Sequence, residues 1–139
     1  DLVSSHVANH KHPEYPEFED YGDCQFRADN GVLANCRVDW YTPAGLPVWG
    51  DGRIFLLGTE GYIELRKYIN VAEDEARAVV YLVNGEGNWR IDTDKQTGFP
   101  FFSYLIKDCL EGTDLAMPQS RIWKAAELAI LAQLQAKKL

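Results

Sequence analysis

Basic charge, cysteine, histidine and long apolar runs are all scarce in this 139-residue chain, and each scarcity excludes something. Fourteen Lys and Arg face twenty-one Asp and Glu, a net charge of −7. The basic residues are scattered, apart from Lys137 and Lys138, so no patch exists to neutralise a polyanion and nucleic acid is not an expected partner. No apolar run approaches the ~20 residues that span a bilayer, and no secretory leader pattern is present. The three cysteines, Cys24, Cys36 and Cys109, are an odd number without short spacing, which argues against a zinc knuckle or a disulfide framework. Cys24 and Cys36 can lie near each other across a hairpin, and free thiols in a reducing compartment are the expectation. The three histidines, His6, His10 and His12, fall near Glu14, Glu17, Glu19 and Asp20. A metal cluster is conceivable there, but a solvated loop is the better reading, because no rigid element fixes ligand geometry.

The usual nucleotide and nucleophile signatures are missing too. There is no Walker loop and no G-x-S-x-G. Gly50-Asp51-Gly52-Arg53-Ile54-Phe55 begins like G-x-G-x-x-G but has Phe55 at the third glycine. It also precedes a strand, whereas the fingerprint needs a strand before it and a helix after it to meet the pyrophosphate.

What is present is an apolar content of 46% and a long alternating pattern. Leu2–Ala8 reads as a strand and Asn9–Asp20, polar with two prolines, as a surface loop. Asp23–Ala28 and Val32–Tyr41 read as a hairpin about the turn Asp29-Asn30-Gly31. Val32, Ala34, Cys36, Val38 and Trp40 share one face there, and Leu33, Asn35, Arg37, Asp39 and Tyr41 the other. That periodicity predicts a sheet with one buried and one available face. Thr42–Gly52 is an aromatic and glycine-rich loop. Arg53–Gly58 and Tyr62–Ile69 form a second hairpin about Thr59-Glu60. Ala72–Arg77 reads as a charged loop, followed by strands at Ala78–Val83 and Trp89–Asp92.

The pattern then turns helical. Phe101, Phe102, Leu105, Ile106, Cys109 and Leu110 predict an amphipathic helix over Pro100–Glu111, with Gly112 as its stop. Pro118 suits the first turn of a second helix running to the end, where Lys137 and Lys138 complement its dipole. Strands followed by helices give an α+β domain. The expected architecture is a largely antiparallel open sheet of six or seven strands, with two C-terminal helices on one face. The chain opens at Asp1 already inside a strand pattern, so it reads as a domain cut from a longer protein.

Two sets of side chains around the aromatic loop suit chemistry or binding. Asp39 and Asp51 flank the aromatic loop and could do acid–base work, but turn formation and pairing with Arg37 and Arg53 is the favoured reading. Trp40, Tyr41, Trp49, Arg53, Lys67 and Tyr68 form a set that suits either a sugar, stacked on aromatic faces, or a dimer interface. Trp89 and Trp123 sit instead in core-like patterns.

The segments Trp40-Tyr41-Thr42-Pro43-Ala44-Gly45-Leu46 and Trp49-Gly50-Asp51-Gly52-Arg53 are followed by the hairpin Leu57-Gly58-Thr59-Glu60-Gly61-Tyr62-Ile63-Glu64. Together they resemble the C-terminal domain of the glucose–fructose oxidoreductase / inositol dehydrogenase / rhizopine-catabolism family (Gfo/Idh/MocA). The helix over Phe101–Cys109 and the Met117-Pro118-Gln119-Ser120 approach to an alanine-rich final helix are similar as well. The resemblance implies residues 1–139 are a single C-terminal domain supplying a substrate wall and an oligomerisation sheet. It implies that an N-terminal Rossmann domain, absent from this chain, binds NAD or NADP. The whole protein would pass hydride between nicotinamide and a sugar, cyclitol or related alcohol.

The partners implied are that Rossmann domain, a sugar-like small molecule, and further copies of the chain in a dimer or tetramer through the exposed sheet face, in a cytoplasmic setting. The family's E-K-P lysine is absent, and its Asp/His helix would lie before Asp1. The resemblance therefore places no catalytic, cofactor-binding or metal residue in this chain, and the domain alone is expected to be inactive. Trp40, Trp49 and Arg53 are the expected substrate-side residues. The alternative reading is a stand-alone carbohydrate-binding or dimerisation module.

Overall fold

A computed structural model describes residues 1–73, 77–93 and 98–139. The chain divides into two compact units, Asp1–Tyr41 with Pro100–Leu139, and Thr42–Phe99. The α+β class expected from the sequence is present, and the strands are shared between two four-stranded sheets, one in each unit.

In the first unit, β1 (Leu2–Ala8), β2 (Tyr21–Arg27) and β3 (Leu33–Asp39) are antiparallel neighbours. The β2–β3 turn closes by an Ala28 N–H bond to the Val32 carbonyl at 2.9 Å. The helices α1 (Phe101–Glu111) and α2 (Gln119–Leu134) follow. Helix α1 stops at Gly112, whose φ of 67° is the left-handed conformation that glycine adopts without steric cost. Asp108 ties down the chain beyond it, accepting from the Thr113 hydroxyl (2.6 Å) and the Leu115 and Ala116 N–H groups (2.7 and 2.9 Å).

The second helix does not run to the end. It stops at Leu134, and Lys137–Lys138 form a short strand, β8, parallel to β1, so this sheet is mixed in the order β3-β2-β1-β8. The terminal lysines are thus sheet residues rather than helix-dipole partners. The edge of β1 away from β2 offers backbone groups that β8 takes up, with the Leu139 N–H bonding the Val7 carbonyl at 3.0 Å.

In the second unit, β4 (Arg53–Leu57), β5 (Gly61–Arg66), β6 (Val79–Asn84) and β7 (Gly87–Asp92) form a wholly antiparallel sheet in chain order. Strand β5 ends earlier than its alternation suggests, because Tyr68 takes a φ of 72° that a strand cannot continue. Gly61 is required where β5 passes β6: a Cβ there would lie 2.2 Å from the Val83 carbonyl oxygen. Val71–Glu73 is a single 3-10 turn that runs into the Ala72–Arg77 stretch read as a charged loop; residues 74–76 of that stretch lie outside the described residues.

The buried apolar set is small: Val7, Ala8 and Ala132 in the first unit, Ile69 and Val79 in the second. Helix α2 lies against β1, where Ala132 is buried, whereas α1 has no buried residue. The alternation of β3 predicted one buried face, yet every residue of β3 is exposed, since no described element covers it. Trp89 and Trp123, read as core residues, are exposed for the same reason.

Candidate functional site

The period-two pleat of the first sheet gathers polar side chains on one side. Register places His6 opposite Asp23 and Asp23 opposite Arg37, with Tyr21 opposite Asp39 and Gln25 opposite Asn35. His6 Nδ1 meets Asp23 Oδ1 at 3.0 Å, and the Tyr21 hydroxyl donates to Asp23 Oδ2 at 2.8 Å. The bonds from His6 and then Tyr21 hold the Asp23 carboxyl below its ordinary pKa, outweighing its desolvation. The bond to Asp23, with burial, pushes the Tyr21 phenol up. An ionised Asp23 only accepts, so His6 Nδ1 carries the proton in this pair. Arg37 lies 5.4 Å over the Tyr21 ring while its Nε donates to Asp39 Oδ2 at 3.0 Å. Gln25 donates to the Asn35 side-chain oxygen at 2.9 Å. The result is a band of mutually hydrogen-bonded donors and acceptors across three strands.

A second cluster stands at the end of that band. The Asp20 side chain is wholly buried. It accepts from the His10 N–H (3.0 Å), the Lys11 N–H (2.7 Å), His12 Nδ1 (2.9 Å) and the Tyr41 hydroxyl (2.9 Å). Burial alone would raise its pKa; these four bonds override that and hold the carboxyl far below the ordinary range. Burial and the Asp20 bond push the Tyr41 phenol up to about 12. Asn9 completes the fastening, donating to the His12 and Tyr15 carbonyls and accepting from the His12 N–H. Phe18 then packs edge-on between His12 (5.4 Å) and Trp40 (5.8 Å), and Tyr21 stacks with Tyr41 at 6.3 Å. The 9–20 loop is thereby pinned beside the ends of β2 and β3.

In the second unit, Arg53 makes three hydrogen bonds to Asp51, between 2.6 and 3.1 Å. The Lys67 ammonium sits 5.0 Å from the Tyr68 ring. Trp49 is 89% exposed.

Of the three expected substrate-side residues, Trp40 therefore belongs to the first unit and Trp49 and Arg53 to the second. Asp39 and Asp51 pair with Arg37 and Arg53, as read from the sequence. The histidines do not converge: His6 is held by Asp23, His12 by Asp20, and His10 faces Tyr21 at 6.1 Å. Among the described residues no three His, Cys, Asp or Glu side chains are grouped to hold a metal ion. Sequence reasoning missed the His6–Asp23–Tyr21 group. Its signal was the polar phase of the alternation, Asn35, Arg37 and Asp39, to which the β1 and β2 partners could have been aligned.

No protein-family model matches the chain, and no curated protein does. Solved structures do. A "putative oxidoreductase" from Erwinia carotovora atroseptica SCRI1043 is 51% identical over 99% of the chain, with a TM-score of 0.93. A second protein of the same description, from Thermotoga maritima, is 24% identical over 97% of the chain with a TM-score of 0.75, a likeness of fold. The chain spans 41% of the first protein and 38% of the second. Its relationship is to proteins described as oxidoreductases. No helix among the described residues is long and apolar enough to cross a membrane.

Proposed function

We propose that this chain is the C-terminal, substrate-side and oligomerisation domain of a nicotinamide-dependent oxidoreductase of the Gfo/Idh/MocA type. The whole protein acts on a sugar, cyclitol or related alcohol. The observation that carries the reading is the 51% identity to a much longer protein described as an oxidoreductase. The resemblance of the Trp40–Glu64 stretch to that family agrees with it.

Two features of the chain support the assignment of roles. In the first unit, the band from His6 through Asp23 to Arg37 offers hydroxyl-binding groups, and Trp40, on the other phase of the β3 alternation, is a further proposed substrate-side residue; in the second unit, Trp49 and Arg53 are proposed for that role. Large apolar side chains remain uncovered on α1 and on the second sheet, which suits a domain whose faces meet a Rossmann domain and a second subunit. NAD or NADP belongs to that Rossmann domain, and the present chain alone transfers no hydride.

The test is turnover by the full-length protein against a panel of sugars and cyclitols with NAD⁺ or NADP⁺, followed through reduced nicotinamide. Oxidation of at least one polyol is expected, with Arg37→Ala raising KM about tenfold, the loss of roughly 1.4 kcal/mol of binding. Full cofactor binding with no turnover of any polyol would count against the substrate class.

A further inference from the structure

Cys24 and Cys36 stand directly opposite each other on β2 and β3, and neither is in a disulfide. Directly opposed residues of an antiparallel pair project to the same side of the sheet with adjacent Cβ atoms. The spacing follows from the backbone. In the same register, Trp40 N–H bonds the Asp20 carbonyl and Ala28 N–H bonds the Val32 carbonyl, each at 2.9 Å. Hydrogen-bonded pairs recur every second residue, so Cys24–Cys36 is one of them, with Cα atoms about 5.5 Å apart. That Cα span lies inside the roughly 4.4–6.8 Å that disulfides show, while the Cβ atoms of a hydrogen-bonded pair stand about 5.5 Å apart, beyond the roughly 3.5–4.5 Å of a disulfide, so closing the bond needs a local shift of the two strands. The two thiols also differ in access: Cys36 is exposed and Cys24 only partly so. Burial, and the Cys36 sulfur beside it, push the Cys24 thiol up, so Cys24 is the poorer first nucleophile.

We propose that Cys24 and Cys36 form a closable dithiol, a modification site that a low-molecular-weight disulfide converts to a cross-strand bond. The Cys36 thiolate attacks one sulfur of the small disulfide RSSR, giving a mixed disulfide on Cys36 and releasing RS⁻. Cys24 then gives up its proton to solvent and attacks Cys36 Sγ, expelling the second RS⁻. Two protein thiols are oxidised to one disulfide, and the two electrons and two protons leave as two RSH. The neighbours in sequence, Asp23 and Arg37, belong to the polar band, so the bond clamps the strand pair that carries it. The proposal does not depend on the substrate class.

The experiment treats the native full-length protein with excess oxidised glutathione, blocks free thiols with N-ethylmaleimide, and digests with trypsin without reduction. Cleavage after Lys11, Arg27 and Arg37 places Cys24 in peptide 12–27 and Cys36 in peptide 28–37. The expected product is the two peptides joined, at their summed mass less two hydrogens, accounting for most of both. Dithiothreitol should restore the separate peptides. Recovery of both peptides separately alkylated would overturn the proposal. So would glutathione retained on Cys36 beside a free Cys24, or a link that forms only when urea precedes the oxidant.

Discussion

Asp20 holds the loop before β2 in place with one carboxylate serving two backbone N–H groups, a histidine and a tyrosine. Because its folded pKa is depressed, its stabilisation is complete above the unfolded aspartate value of about 3.9 and is lost as pH falls towards the folded value. Asp20→Asn should therefore unfold at a lower temperature than the parent at pH 7, with the gap narrowing steadily below about pH 4. Thermal melts followed by circular dichroism from pH 7 to pH 2 check this; a gap of constant size would mean the carboxylate charge plays no part. Local pairs such as Arg37–Asp39 and Arg53–Asp51 were legible in the sequence, the first because alternate residues of one strand face the same way and the second because the two lie only two residues apart at the start of β4. His6–Asp23 and Tyr41–Asp20 were not, because both depend on cross-strand register or on how a loop folds back.

At the scale of elements, the two hairpins, the stop at Gly112 and the start of α2 after Pro118 follow from turn and cap chemistry that the sequence displays. The end of β5 and the short strand β8 do not, since a left-handed tyrosine and a free edge beside β1 leave no periodic mark. The second sheet presents a wholly apolar phase of its alternation, Ile54 and Leu56 beside Ile63 and Leu65, then Val80 and Leu82, then Trp89 and Ile91. Leu56 is 57% exposed on it. Covering such a face is worth roughly 25 cal/mol per Å², and the proposed cover is a second copy of the chain. Leu56→Glu should then halve the mass that light scattering reports for the full-length protein, with the far-UV spectrum unchanged. A parent protein that is monomeric at high concentration would remove that role from the sheet.

For the whole molecule, strands before helices sufficed to give the α+β class. The division of the strands into two sheets was not legible, because the Thr42–Gly52 loop reads the same whether it joins neighbours in one sheet or leads into another. The extent of burial was hidden for a related reason. Alternation marks which side chains can be covered, and only five apolar residues are buried among those described. Sequence patterns therefore placed Trp89 and Trp123 in a core that the chain does not itself supply.

The proposed division of labour holds the nicotinamide outside this chain and the substrate-side surface within it. Calorimetric titration of NADH and NADPH into this chain alone and into the full-length protein tests it most directly. Micromolar binding of one cofactor by the full-length protein and no detectable heat with the chain alone are the expected results. Micromolar binding by the isolated chain would contradict it.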